Sequence, residues 1–300
     1  MSEFRSGFVC LVGRPNTGKS TLTNALVGAK VAITSNRPQT TRHTIRGILH
    51  RTDFQLILVD TPGLHRPRTL LGQRLNDLVR DTYGQVDVIG LCIPADEKIG
   101  PGDRWIVDQI RAVAPRTPLV AMVTKIDKVG KDRLAQQLVA VQDLVGADRT
   151  EIVPVSAVTG EQIDVLTAVL ADGLPPGPAF YPDGELTDEP EETLMAEFIR
   201  EAALEGVRDE LPHSLAVVIE DVAPREGRDD LIDVHAVLFV ERTSQKGIVI
   251  GKGGARLREV GTTARSQIEK LLGTQVYLDL RVKIAKNWQR DPKQLGRLGF

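Results

Sequence analysis

Short continuous runs of apolar residues alternate with longer stretches in which apolar positions recur every three or four residues. The continuous runs are Phe8–Val12, Thr44–His50, Gln55–Val59, Val86–Ile93, Leu119–Val123 and Ile152–Val155. Short runs rich in valine, isoleucine and leucine predict strands buried on both faces. Between them, Leu134–Leu144 and Ile163–Leu170 carry a helical period. Strands alternating with helices predict an α/β fold, a mixed sheet covered by helices.

The pattern changes after Leu174-Pro175-Pro176-Gly177-Pro178. Residues 179–193 hold Pro182, Gly184, Pro190 and most of an acidic cluster from Asp183 to Glu192, and predict a linker. A first domain over 1–178 and a second over 194–300 follow. In the second, Leu194–Arg208 predicts a helix stopped by Pro212. Leu215–Val222 and Ile232–Val240 predict two strands, Gln245–Gly254 a glycine-rich turn, Ala264–Leu272 a helix and Val276–Ile284 a last strand. That order predicts a smaller α+β domain.

Composition adds limits. The chain has 300 residues, 41% of them hydrophobic and 26% charged, as in a soluble globular protein. It offers no uninterrupted run of ~20 apolar residues and no signal peptide, so a cytoplasmic protein without a transmembrane segment is expected. Cys10 and Cys92 lie inside apolar runs and predict buried, reduced thiols. His50, His213 and His235 show no metal-ligand spacing. The net charge of −2 hides an asymmetry: from Glu241 onward, basic residues outnumber acidic ones by about eight, which makes a polyanion the natural partner of the C-terminal part.

The candidate chemistry begins at Gly13-Arg14-Pro15-Asn16-Thr17-Gly18-Lys19-Ser20, a GxxxxGKS string between an apolar strand and the helical run that starts at Thr21. Loop amides at a helix N-terminus bind phosphate; Lys19 would reach the β- and γ-phosphates and Ser20 would ligate Mg²⁺. About 40 residues on, Asp60-Thr61-Pro62-Gly63 closes another strand, where Asp60 would hold Mg²⁺ and the Gly63 amide sense a γ-phosphate. Thr124-Lys125-Ile126-Asp127 follows a third. The Asp127 carboxylate suits the N1–H and 2-amino group of guanine, and the Lys125 stem suits the face of the base. Ser156 and Ala157, at the next strand end, can offer backbone to the base oxygen.

These elements resemble the translation-factor class of GTPases. The Gly13-Arg14-Pro15-Asn16 opening and Gln39-Thr40-Thr41-Arg42-His43 narrow the resemblance to the Era family. Gly247-Ile248-Val249-Ile250-Gly251-Lys252-Gly253-Gly254 resembles a type II KH loop, and Glu210-Leu211-Pro212-His213-Ser214, Trp288 and Leu298-Gly299-Phe300 are similar to the same family. The resemblance implies a GTPase that turns GTP into GDP and phosphate with Mg²⁺, with Lys19, Asn16, Thr41 and Gly63 in catalysis and Ser20, Thr41 and Asp60 at the metal. It places the nucleotide on residues 13–21, on Asp60, Thr61, Pro62, Gly63 and Leu64, on Thr124 to Asp127, and on Ser156 and Ala157. RNA would meet Lys246, Gly251, Lys252, Gly253, Gly254 and Arg256.

The partner the resemblance implies is the 3′ end of small-subunit ribosomal RNA on the small ribosomal subunit, during its assembly. A monomer is expected, cytoplasmic with a peripheral membrane fraction. The alternatives are a GTPase and RNA-binding regulator at the cell envelope or in cell-cycle control, and a P-loop kinase of small molecules, against which Asp127 argues. Two residues depart from the family pattern: Thr124 stands where asparagine is usual and Thr17 where valine is common. Leu64 stands where other GTPases place a glutamine that orients water, and it cannot hydrogen-bond. The resemblance implies a potassium ion instead, held partly by Asn16; the alternative role of Asn16 is to stabilise the turn. His43 and His65 fall in the two expected switches.

Overall fold

The computed structural model describes residues 3–34, 44–64, 69–146, 150–205 and 214–298. The chain forms two compact units, the main run of the first ending at Asp188 and that of the second beginning at Glu189.

The first unit holds a six-stranded sheet in the order β2-β3-β1-β4-β5-β6. Its strands are β1 (Arg5–Val12), β2 (Ile45–His50), β3 (Phe54–Asp60), β4 (Val88–Pro94), β5 (Leu119–Thr124) and β6 (Thr150–Pro154). All neighbours pair in parallel except β2, which runs antiparallel to β3. β4 is buried along its whole length and β1 along most of it, which explains their unbroken apolar sequences.

Helices cover both faces. Leu22, Leu26 and Val27 of α1 (Lys19–Val27) and Leu166 and Leu170 of α5 (Ile163–Asp172) pack with Val9, Leu11 and Leu58 on one face. α2 (Leu70–Tyr83), α3 (Pro101–Val113) and α4 (Lys131–Val145) supply Val79, Ile106, Ile110 and Val141 to the other. Gly28 in the left-handed region ends α1, its amide bonded to the Asn24 carbonyl. The Asn24 side chain then fixes the outgoing chain, accepting from the amides of Val31 and Ala32 and donating to the Ala32 carbonyl at 2.7 Å.

Residues 175–188 lie along this unit. Ser6 Oγ donates to the Pro178 carbonyl, and the Gln55 side chain bonds the backbone of Phe180 and Tyr181. The Ile48 amide donates to the Leu186 carbonyl, and Arg46 pairs with Asp188 at 2.8 Å.

The second unit orders its sheet β7-β8-β9, with β7 (Ala216–Arg225) antiparallel and β9 (Gln275–Ile284) parallel to β8 (Arg228–Val240). α6 (Glu191–Leu204) and α8 (Ala255–Leu272) pack together, and Leu194, Phe198 and Ile199 of α6 are buried. α6 starts inside the acidic stretch, two residues after Glu189. Where the sequence suggests a glycine-rich turn, Thr243–Ile250 forms a helix, α7. The cause is Gln245: its Oε1 accepts from the amides of Glu241 and Arg242 and caps the first turn, outweighing Gly247. Trp288 is fully buried, with Nε1 donating to the Ser214 carbonyl at 3.0 Å. A short helix, α9 (Pro292–Arg297), closes the described chain, capped by Asp291.

Candidate functional site

The parallel strands β1, β3, β4, β5 and β6 all point their carboxyl ends to one edge, and β1 lies where the strand order turns. In open α/β sheets that crevice is where ligands bind. The loops after β1, β3, β5 and β6 meet there, so the sequence-predicted strings 13–21, 60–64, 124–127 and 156–157 come together.

Gly13 leaves β1 with φ +156, and a Cβ on it would come 2.7 Å from both the Cys92 carbonyl and Thr17 Oγ1, so only glycine fits. Asn16, exposed at the loop tip, takes φ 64, a left-handed conformation that asparagine tolerates. Lys19, nearly fully buried, donates to the carbonyls of Gly13 at 3.1 Å and Arg14 at 2.9 Å. Burial lowers its pKa below the ordinary lysine value, against the pull of the nearby Asp60 carboxylate. Burial also pushes the Cys10 and Cys92 thiols up, Cys92 to about 12, so both stay neutral and unreactive.

Ser20 opens α1 and its Oγ donates to Asp60 Oδ2 at 2.6 Å; Asp60 is completely buried at the end of β3. A hydroxyl and a carboxylate side by side at a phosphate loop are hard oxygen donors that fit Mg²⁺. Thr61 Oγ1 donates to the Leu11 carbonyl at 2.8 Å, joining the 60–64 turn to β1. Gly63 lies directly on Pro15: a Cβ would meet the Pro15 Cα at 2.8 Å. Leu64 is buried in the core.

At the other end, Thr124 Oγ1 donates to the Thr17 carbonyl at 2.6 Å. Lys125 sits at φ 59, which turns the chain so that Asp127 reaches Ser156; Ser156 Oγ donates to Asp127 Oδ1 at 2.6 Å. Ser156 is fully buried, held by its own amide on the Glu161 carbonyl, while Asp127 is exposed. Thr41, Gln39, Thr40, Arg42, His43 and His65 lie outside the described residues, as do Glu210–His213 and Gly299-Phe300.

On the second unit, Gly251, Gly253 and Gly254 have positive φ between α7 and α8. Gly251 is tight against Arg256, whereas Gly253 and Gly254 have nothing within 4 Å of a would-be Cβ. Lys252 is exposed beside them, and Lys246 is half-buried on α7. Arg256 turns inward and donates to the carbonyls of Ala203 and Glu205 at the end of α6. A groove of ≈ 530 Å³ runs from Gly253 along α8 to β9, lined among others by Leu257, Arg258, Thr262, Arg265 and Tyr277. Sequence reasoning missed Arg258 and Arg265. The signal was their helical spacing from Gly254, which places both on the loop's side of α8. Arg225 stacks over Tyr277, 4.4 Å from the ring centroid.

Residues 8–125 match the family described as 50S ribosome-binding GTPase, and residues 210–289 match the KH domain. The chain is 86% identical to GTPase Era of Mycobacterium sp. strain JLS over the full length of both chains. It is 80% identical to GTPase Era of Mycobacterium tuberculosis strain H37Ra, again over all of both chains. Among solved structures, an Era variant from Aquifex aeolicus bound to GDP and AlF4⁻ superposes with a TM-score of 0.94 at 35% identity, covering 99% of each chain. Era in complex with MgGDPNP and nucleotides 1506–1542 of 16S ribosomal RNA gives 0.92 at 34%, with the same coverage.

Proposed function

The chain belongs to the Era family of GTPases and hydrolyses GTP, and on that premise we propose that it is a nucleotide-driven switch that holds the 3′ end of small-subunit ribosomal RNA through its KH domain during subunit assembly. The carrying observation is that four guanine-nucleotide elements meet at the strand ends of one unit while the other presents an open GxxG loop beside a groove with arginines on its wall. The solved Era complex with MgGDPNP and 16S ribosomal RNA nucleotides supports both halves.

In this proposal the amides of residues 13–21 cradle the phosphates, and Lys19 exchanges the Gly13 and Arg14 carbonyls for β- and γ-phosphate oxygens. Ser20 and Asp60, with Thr41, hold Mg²⁺, which neutralises charge on the phosphates. The Gly63 amide meets the γ-phosphate. Asp127, oriented by Ser156, pairs with guanine while Lys125 covers the base and Ala157 offers its amide. Asn16 would contribute an oxygen to a K⁺ ion, which would supply positive charge beside the phosphates. Catalysis is positioning and charge neutralisation, with no covalent intermediate. Lys246, Lys252, Arg258 and Arg265 meet RNA phosphates, and Gly251, Gly253 and Gly254 let the RNA backbone approach.

The two domains expected over 1–178 and 194–300 extend along the chain to meet between Asp188 and Glu189, and in this reading the protein is a cytoplasmic monomer with a peripheral membrane fraction. Among the described residues, no helix is long and apolar enough to cross a membrane. Crosslinking the protein to cellular RNA and sequencing the attached fragments tests the RNA assignment. Enrichment at the 3′ end of small-subunit ribosomal RNA is expected; fragments scattered over unrelated transcripts would overturn it.

A further inference from the structure

Arg14 is the second residue of the phosphate loop, yet its side chain leaves the loop and is held by carboxylates of another segment. Its Nε donates to Asp103 Oδ1 at 2.8 Å and its Nη2 to Glu97 Oε2 at 2.9 Å. Asp103 is nearly fully buried, and its second oxygen accepts from the Gly100 amide at 2.8 Å, capping α3. The guanidinium is therefore anchored on a fixed helix end. Gly102 leaves room for it, since a Cβ there would come 2.9 Å from Arg14 Cδ.

Glu97 also faces the base loop. Its Oε1 lies 3.8 Å from Lys125 Nζ, and Asp96 Oδ1 lies 4.0 Å from the same nitrogen. The Glu97 carbonyl accepts from Arg133 Nη2 at 3.2 Å, which ties the segment to α4. One carboxylate thus spans the loop that meets phosphate and the loop that meets the base. The connection reaches further, because the Arg14 carbonyl accepts from both Lys19 Nζ and Thr17 Oγ1. Holding the Arg14 side chain fixes the carbonyl that orients the phosphate-binding lysine.

We propose that Glu97 is a positioning residue that ties the phosphate loop to the base loop through Arg14 and Lys125, so that the two ends of a guanine nucleotide are gripped and released together. The inference rests on the assignment of these two loops to the nucleotide. On the Arg14 side the tie is a charge-assisted hydrogen bond; on the Lys125 side, at 3.8 Å, it is charge attraction alone. Glu97→Gln keeps an oxygen that accepts from Arg14 but removes the charge from both contacts, so the Lys125 side loses its attraction whole and the Arg14 side keeps a neutral hydrogen bond.

Release of a fluorescent GDP from the full chain should be about two- to five-fold faster in Glu97→Gln, the range for a partly exposed ion pair. Wild-type release should quicken as ionic strength is raised with choline chloride, and release from Glu97→Gln should respond less. Glu97→Asp, which restores the charge on a shorter stem, should recover part of the slow release. Equal release rates in wild type and Glu97→Gln would overturn the proposal, and so would faster release with an unchanged salt response, which marks packing alone. A wild-type chain that fails to bind GDP would instead overturn the assignment of the loops.

Discussion

Thr124 Oγ1 sits 2.6 Å from the Thr17 carbonyl and donates to it, closing the end of β5 onto the loop that follows β1. The family pattern puts asparagine at this position, with an amide long enough to bridge base and phosphate loop. The threonine does make the phosphate-loop half of that bridge. Thr124→Val keeps the shape and removes the donor, leaving a buried carbonyl without it. A neutral hydrogen bond contributes about 0.5–1.5 kcal/mol, so GDP affinity measured by calorimetry should fall roughly two- to twelve-fold. Unchanged affinity would make the contact incidental.

Guanine selection should follow Asp127. Asp127→Asn replaces one acceptor oxygen by an amide donor that suits the 2-oxo group of xanthine. The ratio of GTP to XTP affinity should invert, and Ser156, which now donates to Asp127, should keep the amide oriented. An unchanged ratio would move base recognition elsewhere.

Lys19→Ala removes a charge-assisted contact of about 1.5–3 kcal/mol, and GTP turnover should collapse while the full chain still binds RNA. The pH dependence has a definite sign. Burial lowers the Lys19 pKa in the empty site, so the charge is lost there at a pH below the ordinary lysine value. Phosphate favours the charged form, so apparent GDP affinity should decline on the alkaline side earlier than an unperturbed lysine would give. Titrating GDP affinity against pH in wild type and Lys19→Arg checks this; identical alkaline limbs would remove Lys19 from the effect.

Replacing Lys252 and Gly253 with aspartate should weaken single-stranded RNA binding and flatten its salt dependence. The double variant should fold, because Gly253 sits at φ 58 with open space around it and aspartate tolerates that conformation. Filter binding at two salt concentrations and circular dichroism give the two readouts. Full RNA affinity in the folded variant would reduce the loop to a connection between helices.

Potassium should accelerate hydrolysis relative to sodium, and Asn16 should carry the difference. Leu64 is buried in the core and cannot orient water, while Asn16 stands exposed at the tip of the phosphate loop. Turnover in matched KCl and NaCl should differ for wild type and converge for Asn16→Ala. Equal wild-type rates would leave a partner protein as the better source of the missing charge.

The meeting of the strings 13–21, 60–64, 124–127 and 156–157 at one sheet edge was legible because each follows a short apolar run that reads as a strand. The loops carrying Lys19, Asp60 and Asp127 could be placed from sequence for that reason. α7 was not legible, because Gly247 and Gly251 read as turn residues and the deciding cap is one glutamine amide. Arg256 looked like part of a basic loop, yet the end of α6, 51 to 53 residues away in sequence, draws it inward. The Arg14–Glu97–Lys125 connection was hidden for the same reason: its members come together only once three separate strands align.

The segment 175–188 has a practical meaning for anyone cutting the chain in two. β2 is an outer strand, and its exposed rim is capped where the Ile48 amide meets the Leu186 carbonyl and where Arg46 meets Asp188. A fragment ended at Pro178 would lose these covers together with the Gln55 contacts to Phe180 and Tyr181. It would present a bare strand edge to its own copies, the usual starting point for edge-to-edge association. The scissors belong after Asp188, where the same fragment keeps its own selvedge.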